Sequence, residues 1–164
     1  MRILVAVLIL VFLVAIILGV EALRHNAGSE GSVQGLPTAA PGGIPIYLDG
    51  KLMGAFSPPD LEQLESASFV DAEEGKTQEG WWLRDVILLH VKEEALSPGS
   101  RVVVASSSRE ESVELTWAEV LEPANNVMFD VSSRGTLKLA STLEQLATRD
   151  QWVQDVDSIE ITSR

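Results

Sequence analysis

Cysteine is absent from this sequence. Its absence excludes disulfides, thiolate metal ligands, haem attached through cysteine, and a cysteine nucleophile. Histidine occurs only at His25 and His90, too few for a three-histidine metal site. Positive charge is scarce: 12 lysines and arginines stand against 24 aspartates and glutamates, a formal net charge of -12. Arg2 precedes every acid, so from Glu21 onward the balance is 11 against 24, or -13. Such a chain repels nucleic acid, and no basic stripe compensates, so nucleic acid is excluded as a partner. A phosphate loop, a G-x-S-x-G nucleophile, an HExxH helix and EF-hand spacing are all missing. Ser/His/Asp catalysis requires His90, and no serine is singled out by a strained nucleophile turn.

One long apolar run is present. Ile3 to Val20 reads ILVAVLILVFLVAIILGV, 18 consecutive apolar or glycine residues. As a helix it spans about 27 Å, close to the hydrocarbon thickness of a thin bilayer. Arg2 and the α-amino group precede it, which predicts a cytoplasmic N-terminus and an exported C-terminal domain. A cleaved signal peptide is the rival reading, with Val20 and Ala22 as small flanking residues; a buried soluble helix is the third. The apolar core exceeds the 7–15 residues usual in signal peptides, which favours an uncleaved single-pass anchor in the cell membrane.

The sequence therefore divides into an anchor or signal segment at 1–22, a linker at 23–43 and an extracytoplasmic domain at 44–164. The linker, rich in Gly, Ser, Ala and Pro, has few apolar anchors. The domain opens on IPIYLDGKLMGAF, where Asp49-Gly50 predicts a hairpin between strands Ile44–Leu48 and Lys51–Phe56. Ser57, Pro58 and Asp60 predict a short capped helix that faces Leu61 and Leu64 inward. A short strand is expected near Ala67 to Ala72, followed by a polar connection, EEGKTQEG. Leu83, Val86, Ile87 and His90 or Val91 follow helical spacing.

Arg101 to Ala105 is β-branched and reads as a central strand. Val113 and Leu115 alternate with Glu114. Thr116-Trp117-Ala118-Glu119 matches a capping box, and Ser141 with Glu144 matches another. Val127 to Val131 pairs across Arg134-Gly135 with Thr136 to Leu139, and DSIEIT is a closing strand. The sum is a compact α+β domain: short helices around a mixed or antiparallel sheet, without long βαβ crossovers.

Four tryptophans are the candidate ligand or partner contacts: Trp81, Trp82, Trp117 and Trp152. Aromatic side chains dominate many protein interfaces. Packing at a strand-to-helix corner is the competing reading for Trp81 and Trp82, and core burial competes at every position. The carboxylates Asp71, Glu73, Glu74 and Glu79, then Asp150, Asp155, Asp157 and Glu160, read as a solvated acidic face. A divalent-cation site near Asp71 to Glu74 or Asp155 to Asp157 is the alternative.

The order of these elements carries a resemblance. Gly80-Trp81-Trp82-Leu83-Arg84-Asp85-Val86-Ile87 resembles the "G-v-p-L-r-d-l-L" segment of the molybdopterin-binding oxidoreductase domain of the sulfite oxidase type. LDGKLMGAFSPPDLEQL resembles that family's opening strand pair and "s-l-e-e-L" helix. Val102 to Ala105, Val113 to Val120, Val127 to Val131 and Trp152 to Ile161 are similar to its later segments. The resemblance covers roughly residues 44 to 162 and implies the family's topology. In that family a loop cysteine binds molybdenum ahead of the segment equivalent to Gly80; this chain has VDAEEGKTQE there and no cysteine. No Arg/His cluster is apparent for a pyranopterin phosphate.

The expectation is thus a membrane-anchored, extracytoplasmic binding or accessory domain without catalytic activity, cofactor or metal of its own, with a membrane or periplasmic protein as partner. The alternative is an oxidoreductase-like domain binding a molybdopterin-type or other small cofactor. An accessory role in a membrane-bound redox complex is a further possibility that the resemblance implies.

Overall fold

A computed structural model of the chain describes residues 42–163. Nearly all of the expected anchor and linker lies outside the described residues. No helix among the described residues is long and apolar enough to cross a membrane.

Among the described residues, nine strands form two sheets. The first is mixed and five-stranded, in the order β2 (Lys51–Phe56), β1 (Ile44–Leu48), β9 (Ser158–Thr162), β5 (Arg101–Ser106), β6 (Glu111–Thr116). Only the β1–β9 pair is parallel. The second is antiparallel, in the order β3 (Ala67–Val70), β4 (Thr77–Trp82), β7 (Met128–Val131), β8 (Leu137–Ala140). Three short α-helices, α1 (Pro58–Leu61), α2 (Leu83–Leu88) and α3 (Trp117–Leu121), connect strands, with 3-10 turns elsewhere.

Alternation decides which side of the first sheet is buried. Directly paired residues share a face. Leu115, Val102 and Ile161 make one row, and Val104, Ile159 and Ile46 the next; all are at most 2% exposed. Phe56 of β2 meets Phe129 of β7 with ring centroids 6.0 Å apart, joining the two sheets through one continuous core.

The local signals explain the connections. Asp49 and Gly50 both take positive φ, 50° and 77°, as the tight hairpin requires. A capping box closes on Ser57 and Asp60 and another on Thr116 and Glu119. Helix α2 buries Leu83, Val86 and Ile87, with Val91 just beyond its end. His90 is half-buried, its ring against Gly54 of β2.

Three expectations are corrected. A second sheet accompanies the first, because β4 pairs with both β3 and β7. The stretch read as a polar connection holds the first four residues of β4; its polar residues serve the sheet, with Gln78 only 3% exposed and bonded to Asp71 and Lys138. The capping box expected at Ser141 and Glu144 does not form, since Ser141 is buried and donates to the Asn125 carbonyl at 2.6 Å. That motif falls on Thr148 and Gln151 instead.

Candidate ligand cleft

The corner at Gly80 is filled. Gly80 pairs with Ala67 on one side and Asp130 on the other. A β-carbon on residue 80 would lie 1.7 Å from the Phe129 carbonyl oxygen. Trp82 ends β4 and Leu83 begins α2, whose first N–H donates to the Val127 carbonyl at 3.1 Å. Trp81 and Trp82 are half-buried and pack on the core. Trp117 is 2% exposed and Trp152 3%. The four tryptophans therefore make no common surface, and Trp117 offers a partner almost no area.

Trp152 lines a cleft. Its indole N–H donates to the Leu146 carbonyl at 2.9 Å, leaving the ring as wall. Lys138 Nζ lies 5.1 Å from the ring centroid and Arg149 Cζ 5.5 Å, both within cation–π range. Ser132, Ser133, Arg134 and Gln154 complete a cavity of about 290 Å³. Topology assembles it: β8 carries Lys138, the β7–β8 turn carries Ser133 and Arg134, and a bridge between Leu139 and Val153 brings the segment bearing Arg149, Trp152 and Gln154 alongside.

Each cation is anchored by a carboxylate that does not line the cleft. Lys138 Nζ donates to Asp130 Oδ2 at 2.9 Å and to Gln78 Oε1 at 3.0 Å, leaving one of its three N–H groups without a protein acceptor. Arg134 uses Nη2 on both Asp155 oxygens at 3.1 Å; its side chain is 58% exposed and its Nε and Nη1 groups make no hydrogen bond within the protein. Arg149 Nη1 donates to Glu74 at 2.6 Å, and its buried Nε lies 3.7 Å from Asp71 Oδ2, an ion pair without a hydrogen bond.

Two carboxylates organise these cations. Asp155 accepts from Thr136 Oγ1 at 2.6 Å and Arg109 Nε at 2.7 Å as well as from Arg134. The Thr136 hydrogen bond, then Arg109, lowers its pKa to about 2. Asp71 is 4% exposed, so it does not belong to a solvated face. It accepts the Glu74 N–H at 2.7 Å and Gln78 Nε2 at 2.9 Å; the Glu74 bond leads in holding its pKa below the usual carboxylate range. Both carboxylates are occupied by protein donors, and no group of three or more acidic or histidine residues suited to a metal occurs among the described residues.

A second cavity, of about 430 Å³, is larger, but carboxylates share its lining with the donors. It is lined by Arg101, Glu114, Glu119 and Gln145 among others. Arg101 is paired with Glu114 at 2.7 Å, Glu119 caps α3, and Gln145 donates to the Glu114 carbonyl. The smaller cleft retains free donors.

Sequence reasoning found Trp152 but missed Arg134, Lys138, Arg149 and Gln154. These residues form no motif. The only local signal was a lysine between leucines in LKLA, on a strand face that Ala140 buries. The sequence matches no protein-family model and no curated protein.

Proposed function

We propose that this chain is a membrane-anchored, extracytoplasmic binding or accessory domain that performs no reaction of its own and takes its ligand in the cleft beside Trp152. Residues 1–22 hold it to the cell membrane as a single-pass anchor, residues 23–43 give it reach, and a membrane or periplasmic protein is its partner. The order of elements supports a topology like that of the sulfite-oxidase-type molybdopterin domain.

The observation that carries the reading is the packing at Gly80. In the resembled family this segment follows the molybdenum-bearing loop. In this chain the Phe129 carbonyl occupies the space beside Gly80 so tightly that not even a methyl group fits. The free hydrogen-bonding groups are concentrated elsewhere, around Trp152.

Trypsin treatment of right-side-out membrane vesicles tests the arrangement. The linker offers Arg24 as a cleavage site. The expected outcome is release of a soluble fragment beginning at His25, with the preceding residues left in the membrane. Protection of the domain until the vesicles are opened would contradict the extracytoplasmic placement.

A further inference from the structure

We propose that the Trp152 cleft is a specific site for a small organic anion, held through carboxylate or phosphate oxygens by Arg134 and Lys138, with Arg149 positioned against the Trp152 ring. The inference rests on the reading of this chain as a binding domain and names the class of its ligand.

The argument begins with the distribution of charge. Acids outnumber bases 24 to 12, yet the cleft is lined by three cations, two serines, a glutamine and a tryptophan, without a carboxylate. On a surface so acidic, a lining without a carboxylate is a departure that needs a cause. Folding alone does not supply one for Arg134, whose side chain stands mostly in water and closes no core. The carboxylates Asp130, Asp155 and Glu74 hold the three cations without lining the cavity. This arrangement fixes long, flexible side chains before a ligand arrives and reduces the ordering entropy that binding must otherwise offset.

The free groups suit oxyanions. Arg134 presents N–H groups not used on Asp155, Lys138 retains one N–H, and the hydroxyl of Ser133 and the side-chain amide of Gln154 have no protein partner. Guanidinium groups match the geometry of planar carboxylates and of phosphates, and charge-assisted hydrogen bonds are the strong class.

Size and field restrict the ligand further. A volume of about 290 Å³ lies at the small end of ligand pockets and fits a compact metabolite. The net charge of -12 opposes extended polyanions such as nucleic acid, which would lie across the acidic surface. A small anion within the cleft is spared most of that field, because charges beyond about 8 Å are largely screened at physiological ionic strength; what it meets locally are the cleft donors and the carboxylates that hold them.

Isothermal titration calorimetry tests the proposal on the full chain in non-ionic detergent and zwitterionic buffer at physiological ionic strength, with citrate and inorganic phosphate as probes. Saturable one-to-one binding of either probe is expected. Citrate alone assigns a carboxylate ligand, and phosphate alone a phosphorylated one. Arg134→Gln should weaken binding about tenfold, as expected for loss of one charge-assisted hydrogen bond. Ser133→Glu, at an exposed position without hydrogen bonds, should abolish it. Arg101→Gln, at the other cavity, should leave affinity unchanged. Absence of saturable binding by both probes in a folded wild-type chain would overturn the proposal, as would equal losses in Arg134→Gln and Arg101→Gln. Failure here would leave the trypsin result on membrane placement untouched, so the two readings fall separately.

Discussion

The carbonyl oxygen of Phe129 stands where a side chain at Gly80 would begin, 1.7 Å from the ideal β-carbon position. This contact locks β4 against β7 and sets the corner from which α2 departs.

Gly80→Ala therefore forces backbone apart, because the obstructing atom belongs to the main chain. The expected loss is about 2–4 kcal/mol of unfolding free energy, at the severe end for an added methyl. Urea unfolding measures it; a change under about 0.5 kcal/mol would mean that the strands separate without strain.

Gly54 and His90 make a softer version of the same relationship. A β-carbon at residue 54 would lie 2.3 Å from His90 Nδ1. Gly54→Ala should cost about 1–3 kcal/mol, and a double-mutant cycle with His90→Ala should recover about 1 kcal/mol or more. Strictly additive effects would show that the imidazole does not limit this position.

Asp155 makes stability depend on acid. Its folded-state pKa is lowered to about 2 from the ordinary 3.8, so its contribution is present above about pH 4 and is lost as pH falls toward 2. Asp155 has φ 52°, a conformation that asparagine also tolerates. Asp155→Asn should therefore lower the thermal midpoint at pH 7, with the gap from wild type closing between pH 4 and pH 2. A gap constant across that window would assign the loss to something other than the carboxylate charge.

Burial ranks the tryptophans. Trp117→Ala should cost about 3–5 kcal/mol, since the ring is 2% exposed and fills the core beneath α3. Trp81→Ala should cost less, because that ring is half-buried. Equilibrium unfolding of the two variants checks the order, and a reversed order contradicts it.

Much of the fold was legible where local chemistry and tertiary pairing agree. Asp49-Gly50 placed the first hairpin, with strand limits Ile44–Leu48 and Lys51–Phe56 as observed. Thr116 and Glu119 placed a helix start, and RVVVA became β5, an inner strand beside the central β9. Legibility ended where long-range pairing overrides local composition. Residues 77–79 are polar, yet they form β4 because β3 pairs with them, and Gln78 finds buried partners in Asp71 and Lys138. Ser141 looked like a cap, but the Asn125 carbonyl took its hydroxyl. The cleft was the least legible feature. Arg134, Lys138 and Arg149 have no shared spacing and meet only through the β7–β8 pairing and the Leu139–Val153 bridge. An absence of clustered basic residues along the chain thus said nothing about clustering in space.

The most direct test of the central claim is native mass spectrometry, with metal analysis, of the full-length chain gently extracted from its own membrane. The account predicts a chain that retains its first 22 residues and carries neither molybdenum nor a pterin, with a small anion or a protein partner bound. Stoichiometric molybdenum or pterin would contradict it and return attention to the loop before Gly80.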